Sequence, residues 1–300
     1  MKDAAKAVVL SAPEGVWSRG ADFLELTKPR ITSLVLLTTL VGFYVGARGS
    51  FAWLALWHTL VGTALVAAGA SVWNMWAERR SDARMLRTAA RPLPAGRLQP
   101  REAMLFALVL SLAGLVYLFL LVHPLAALLA AATLAGYLLV YTPLKTRSWL
   151  CTLVGAVPGA IPPLIGWGAA TGRLSAEAWI MFAILFLWQL PHFYAIGWMY
   201  RDDYARAGFP MLPVIDSTGS RTSRQVSLTI AALVLVTLAP FARHLAGPVY
   251  LAGAILLGAA FLGVGLIFAR GRDRASARAL FVFSVCYLPA LLLLLVADRT

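Results

Sequence analysis

Residues 71–97 read SVWNMWAERRSDARMLRTAARPLPAGR. They begin inside an uncharged run, 49–77, and turn abruptly polar at its end. Asn74, Glu78 and Asp82 recur every four residues. On an α-helix each such step advances about 40° past a full turn, so the three side chains form one drifting stripe roughly 12 Å long. An amide and two carboxylates on one stripe can hold a hard cation such as Mg²⁺, which takes oxygen ligands and usually keeps phosphate and water as well. Arg79, Arg80, Arg84, Arg87, Arg91 and Arg97 lie in the same stretch. Guanidinium groups beside metal ligands point to a polyanionic phosphate. A solvated, salt-bridged loop capping a membrane helix would show much the same residues, and spacing alone leaves both open.

Working outward, 60% of the 300 residues are hydrophobic and 13% are charged, with a mean hydropathy of +0.78. That is too little polar surface for a soluble domain, so the expected class is an all-α polytopic membrane protein with the lipid bilayer as its surroundings. The net charge of +13 does not point to nucleic acid, because the cations sit between apolar segments. Uncharged runs cover 31–47, 49–77, 103–144, 148–172, 178–200, 225–242, 244–269 and 279–297. A bilayer core takes about 20 residues per helix. The run 103–144 is twice that and breaks at His123-Pro124, which gives nine spans. With the N-terminus in the cytoplasm, 22 Lys and Arg residues fall on the inner side; the other four are Arg48, Arg173, Arg243 and Arg299. That asymmetry fixes the orientation. Residues 1–15 hold no apolar core long enough for a signal peptide, and Asp3 and Glu14 disfavour a mitochondrial presequence. The expected location is a bacterial inner membrane. Cys151 and Cys286 read as small apolar packing residues.

Residues 16–30 mix apolar and charged positions and predict an interfacial helix. Lys28 and Arg30, flanking Pro29, are either topology anchors or part of an anion site. Pro92 and Pro94 predict an extended loop, with a turn at Gly96. Span four ends in YTPLKTR (141–147). Pro143 is expected to stop that helix. Tyr141 is either an interfacial residue or a diphosphate contact, with Lys145 as counter-charge. Span five carries Pro158, Pro162 and Pro163 and is expected to line a cavity. His192 lies inside span six after Pro191. A histidine at such depth is either functional or held by a structural hydrogen bond. The polar segment 200–206 follows span six, on the side of the first acidic stripe. Asp202 and Asp203 can therefore face it, as two Mg²⁺ ions bridging a diphosphate would require.

N-x-x-x-E-x-x-x-D at 74–82, RPLPAGR at 91–97, YTP-x-K at 141–145 and the PHF…DDY-x-x-AG-x-PMLPV run at 191–214 resemble the protohaem IX farnesyltransferase (haem O synthase) branch of the UbiA superfamily of intramembrane prenyltransferases. The likeness runs from LTKPR at 26–30 to YLPALLLLL at 287–295. It implies nine helices bundled around a central cavity open to the cytoplasm. It divides the chain into an N-terminal cytoplasmic segment, 1–30, and a single prenyltransferase domain, 31–297. It implies transfer of a farnesyl group from farnesyl diphosphate to the 2-vinyl group of haem b, with addition of water, giving haem O and diphosphate. Asn74, Glu78, Asp82, Asp202 and Asp203 would hold Mg²⁺. Arg79, Arg87, Arg91, Tyr141, Lys145 and Arg201 would bind the diphosphate, and His192 the haem. Trp73, Trp76 and Tyr141 would stabilise the allylic cation. A downstream haem-modifying oxidase would be a partner. Two features depart from the superfamily pattern. Glu78 stands where Asp is usual, and Asp202 and Asp203 are adjacent, about 100° apart on a helix, which leaves open whether one or both of them bind metal. Competing expectations are a UbiA-type enzyme acting on an aromatic or quinone-precursor acceptor, a transporter, or a haem-binding assembly factor without catalysis.

Overall fold

The structure, a computed structural model, describes residues 16–47 and 52–300. Lys2, Asp3, Lys6, Glu14 and Arg48 lie outside the described residues. Nine helices among the described residues are long and apolar enough to cross a membrane: Pro29–Gly46, Trp53–Asp82, Pro100–Leu121, Pro124–Leu144, Cys151–Thr171, Ala176–Met199, Ser220–Ala242, Pro248–Gly271 and Arg274–Ala297. They are spans 1 to 9 below. The break at His123-Pro124 is present, with the His123 ring accepting from Leu125 N at 3.1 Å as a helix N-cap.

Span 6 sits among spans 5, 7 and 9, while span 2 lies along span 3. Span 5 is divided at Ile161, and its three prolines are buried against protein. Its second half lies backbone to backbone on span 1, because glycines remove the side chains between them. A methyl group at Gly166 would overlap Thr39 O, and one at Gly42 would overlap Pro163 O. Gly166→Ala is therefore expected to cost about 2–3 kcal/mol by overpacking, read as a lower melting temperature in detergent, whereas Gly263→Ala, which meets nothing within 4 Å, should leave that temperature near the wild-type value.

Two local expectations need correction, and one holds. Span 2 continues past its uncharged run to Asp82, so Asn74, Glu78 and Asp82 lie on one helix as expected. Its last two turns bury polar side chains against cations from other segments, so the helix has no reason to stop at the lipid boundary. Residues 83–99 are not extended. Consecutive turns fold them, with Ala95 N on Arg91 O at 2.9 Å and Arg97 N on Pro92 O at 2.9 Å. Leu93 and Leu98 are buried beneath with Leu26, Val72 and Met75. The turn at Gly96 is present, with φ +75°. Pro143 does not stop span 4. The helix widens into a π turn over Gly136–Tyr141, where Thr142 N–H reaches back to Tyr137 O, and Thr142–Leu144 then continues as α-helix. The Thr142 hydroxyl donates to the same carbonyl at 2.9 Å. The wider turn accommodates the proline ring.

The helix Val16–Leu26 packs through fully buried Leu26 onto this coiled loop. Arg97 reaches Asp22 at 2.8 Å and Glu25 at 3.1 Å, and Arg19 pairs with Glu102. Such exposed pairs are worth about 0–1 kcal/mol each, so the apolar contact carries most of the docking. Cys151 is buried as expected, but Cys286 is exposed on span 9.

Candidate active site

The ends of spans 2, 4 and 6 meet through an apolar knot. Met85, Cys151, Tyr204, Phe209 and Met211 form one buried cluster, with Tyr141 and Leu144 packed against it. This knot joins the loop after span 2 to the short helix Arg201–Arg206 after span 6. A hydrogen bond from Leu86 N to Asp203 Oδ1, 3.2 Å, crosses the same junction. Arg87 lies over the Tyr200 ring at 5.1 Å and donates to the Tyr204 hydroxyl at 3.4 Å. The two acidic segments therefore share one end of the bundle.

Inside that junction Asn74, Glu78 and Asp82 are all buried, as one helical stripe requires. Asn74 Nδ2 donates to Glu78 Oε1 at 2.8 Å. Each of the three also faces a cation. Lys28 Nζ donates to Asn74 Oδ1, Lys145 Nζ to Glu78 Oε2 and Arg91 Nη1 to Asp82 Oδ2, all at 2.8 Å. Three positive groups thus meet two carboxylates. Burial and nearby Arg91 push Lys28 down to about 8, which marks crowded positive charge. Burial also works against the Lys145 ammonium, but the Glu78 carboxylate outweighs it and holds Lys145 above its usual range.

Of its two readings, topology anchor or site residue, Lys28 takes the second, through its contact with Asn74. Its φ of +49° is a left-handed conformation, which costs a non-glycine residue about 1–2 kcal/mol. The α region is disfavoured before proline, and Pro29 follows. The turn aims the side chain at Asn74.

Tyr137, which no motif in the sequence marks, also borders the site. Its phenol is within electrostatic reach of Glu78, Lys145 and Arg91. It lies tilted against Tyr141 with centroids 5.0 Å apart, and Lys145 Nζ is 5.9 Å from the Tyr141 centroid. The four-residue spacing Tyr137, Tyr141, Lys145 is the signal that could have found it. Tyr141 in turn rests on Gly155, where a methyl group would stand 2.5 Å from its ring. Gly155→Ala, in a different span, should therefore displace Tyr141 and lower turnover about tenfold or more, as small misplacements do. Steady-state rates beside a melting curve would check that the loss is not simple unfolding.

The other predicted residues sit elsewhere. Arg79 folds back onto its own helix, donating to Trp76 O at 2.6 Å and lying over the Trp76 ring. Arg201 lies over Trp198 at 4.8 Å. Trp73 and Trp76 pack with Phe23, Leu26 and Phe106. Trp76 is about 200° around the helix from Asn74, so this pair faces the N-terminal helix and not the carboxylate stripe. Asp202 is exposed. Asp203 is buried and paired with Arg206. Burial would raise Asp203, but Arg206 and the Leu86 N–H hold it below the usual carboxylate range. His192 is on span 6, against span 9, with its Nδ1 2.8 Å from Ser284 Oγ.

Among the described residues no three His, Cys, Asp or Glu side chains converge as a ready metal centre; Glu78 and Asp82 face cations instead. The donor set nonetheless fits a hard divalent ion. Asp82 Oδ1 is buried without a hydrogen-bond partner, a condition that costs about 1–3 kcal/mol and that an oxygen-seeking cation relieves.

Comparison with known proteins matches residues 35–287 to the UbiA prenyltransferase family. The protoheme IX farnesyltransferase of Solibacter usitatus is 48% identical, over 93% of this chain and 98% of that protein. The protoheme IX farnesyltransferase of Koribacter versatilis is 44% identical, over 95% and 96%. Among solved structures, one described as digeranylgeranylglyceryl phosphate synthase aligns with a TM-score of 0.79 at 17% identity, over 94% of this chain and 98% of that one. A UbiA homologue from Archaeoglobus fulgidus bound to DMAPP and Mg²⁺ aligns at 0.65 and 16%, over 91% and 99%.

Proposed function

The chain belongs to the UbiA prenyltransferase family, and from that premise we propose that it transfers a farnesyl group from farnesyl diphosphate to the 2-vinyl group of haem b, giving haem O. The relatives named protoheme IX farnesyltransferase at 44–48% identity favour haem over an aromatic or quinone-precursor acceptor. The observation that carries the site is that the Asn74–Glu78–Asp82 stripe, each member paired with Lys28, Lys145 or Arg91, lies at the same end of the bundle as Asp203, which holds the loop after span 2 through Leu86 N.

Asn74, Glu78, Asp82 and Asp203 are the residues suited to hold Mg²⁺. Bound there, the metal would neutralise charge on the departing diphosphate. Lys145, Arg91 and Lys28 bind the diphosphate oxygens, Lys145 and Arg91 turning from Glu78 and Asp82 to do so. Arg87, stacked over Tyr200, closes the outer side. The farnesyl C1–O bond breaks and diphosphate leaves. C1 then bonds to the terminal vinyl carbon, and water adds to the inner carbon with loss of a proton. Tyr141 and Tyr137 present ring faces that stabilise the allylic cation, and the buried surroundings keep water away until C1 has reacted. Asp202, Arg79 and Arg201 contribute less, given where their side chains lie.

The cation asymmetry supports an N-terminus in the cytoplasm and a bacterial inner membrane as the location. The family match over 35–287 supports treating 31–297 as one prenyltransferase unit. Nothing in the comparisons supports a downstream oxidase as partner. Mass analysis of haem extracted from membranes expressing the chain tests the proposal. The expected product is haem b plus one farnesyl group and one hydroxyl group. Unmodified haem beside a prenylated aromatic compound would overturn it.

A further inference from the structure

His192, on span 6, belongs to a hydrogen-bond chain that runs into span 9. Ser284, on span 9, is fully buried. Its hydroxyl donates to Phe281 O at 2.6 Å, and its oxygen stands 2.8 Å from His192 Nδ1. A hydroxyl has one proton. If that proton pointed at His192, the serine oxygen would press its lone pairs against the Phe281 carbonyl at 2.6 Å. The proton therefore belongs on Phe281 O, and Ser284 Oγ accepts from His192 Nδ1–H. Among the described residues the imidazole has rings and a hydroxyl as neighbours and no acidic partner. Trp188 stacks on it with centroids 5.2 Å apart and planes 25° apart, and Phe281 lies at 5.0 Å. A neutral imidazole protonated on Nδ1 carries its free lone pair on Nε2. Among the described residues Nε2 has no hydrogen-bond partner.

We propose that Ser284 is a positioning residue: it fixes His192 in the tautomer whose Nε2 ligates the iron of the porphyrin acceptor, and so sets how that acceptor is seated. This rests on the haem reading above. Fixing a histidine through its second nitrogen is how metal-ligating imidazoles are usually oriented. Trp188 Nε1 donates to the backbone carbonyl of Ser284 at 2.7 Å, so Ser284→Ala keeps the contact between spans 6 and 9 and removes only the hydroxyl.

The test compares binding of haem b and of metal-free protoporphyrin IX, by absorption spectroscopy on the purified full chain. The wild type should bind haem b with the Soret band of a histidine-ligated iron. Ser284→Ala should weaken haem b binding about tenfold and blur that band, while metal-free protoporphyrin binds as before. His192→Ala should lose the band altogether, and Ser284→Thr should retain it. A wild-type spectrum and affinity in Ser284→Ala would overturn the assignment, as would equal weakening of both porphyrins. If the wild type makes farnesylated haem and Ser284→Ala behaves identically, only this inference falls. If the wild type neither binds nor converts haem b, the proposed function falls and takes this inference with it.

Discussion

Asp82→Asn should lower diphosphate release by about 10²–10³-fold, the scale seen when one preorganised electrostatic group is removed from a reacting centre. The substitution keeps the shape of the side chain. Asparagine can still accept from Arg91, which now meets Asp82 Oδ2 at 2.8 Å. What disappears is the charge, and with it the buried, unpartnered Oδ1 that fits a divalent cation. The variant should reach the membrane at wild-type level, since span 2 does not depend on that charge to cross lipid. Asp202→Asn is the control. Asp202 is exposed, so its loss should change turnover by less than about threefold, as surface substitutions generally do little. A drop as large as that of Asp82→Asn would mean that the second acidic ligand is Asp202 and that Asp203 serves only to fasten the loop. Release of inorganic diphosphate, measured at saturating farnesyl diphosphate and haem b, separates the two.

Lys145→Ala should be damaging twice over. Lys145 and Glu78 form an ion pair with 12% and 7% of their side chains exposed. Removing one member of such a pair typically costs about 3–5 kcal/mol, because the other charge stays buried. Lys145→Ala should therefore melt earlier in detergent and also lose turnover. Lys145→Ala combined with Glu78→Gln removes both charges, so most of the stability should return. Activity should not return, because the diphosphate has lost its cation and the metal one of its ligands. Recovery of activity along with stability would show that the pair is structural only.

The sequence carried the membrane frame well. Charge-free runs and the His123-Pro124 break delimit the spans because lipid enforces apolar composition almost residue by residue. The Asn74–Glu78–Asp82 stripe was legible for a similar reason: three polar residues at helical spacing in an apolar segment share one face. What was not legible depended on tertiary contacts. Lys28 looks like an anchor until a left-handed turn aims it at Asn74. Tyr137 precedes Tyr141 and Lys145 at four-residue spacing, a signal that gains meaning only once Lys145 is seen paired with Glu78. Trp73 and Trp76 looked like cation-stabilising rings, yet neighbours in sequence on a helix face different directions, and theirs is the N-terminal helix. The compact 83–99 loop hides behind its prolines, because its order comes from Leu93 and Leu98 packing on Leu26. The Ser284–His192 contact joins residues 92 apart in sequence, and no local pattern announces it.

The central claim is that spans 2 and 6 jointly hold a magnesium–diphosphate centre. Calorimetric binding of farnesyl diphosphate to the purified protein, with Mg²⁺ and with EDTA, tests it most directly when the wild type is set beside Asp82→Asn and Asp203→Asn. Tight binding should require Mg²⁺ in the wild type and be lost in both variants, one from each span. Equal affinity in EDTA, or an Asp203→Asn variant that binds as the wild type does, would contradict a shared centre.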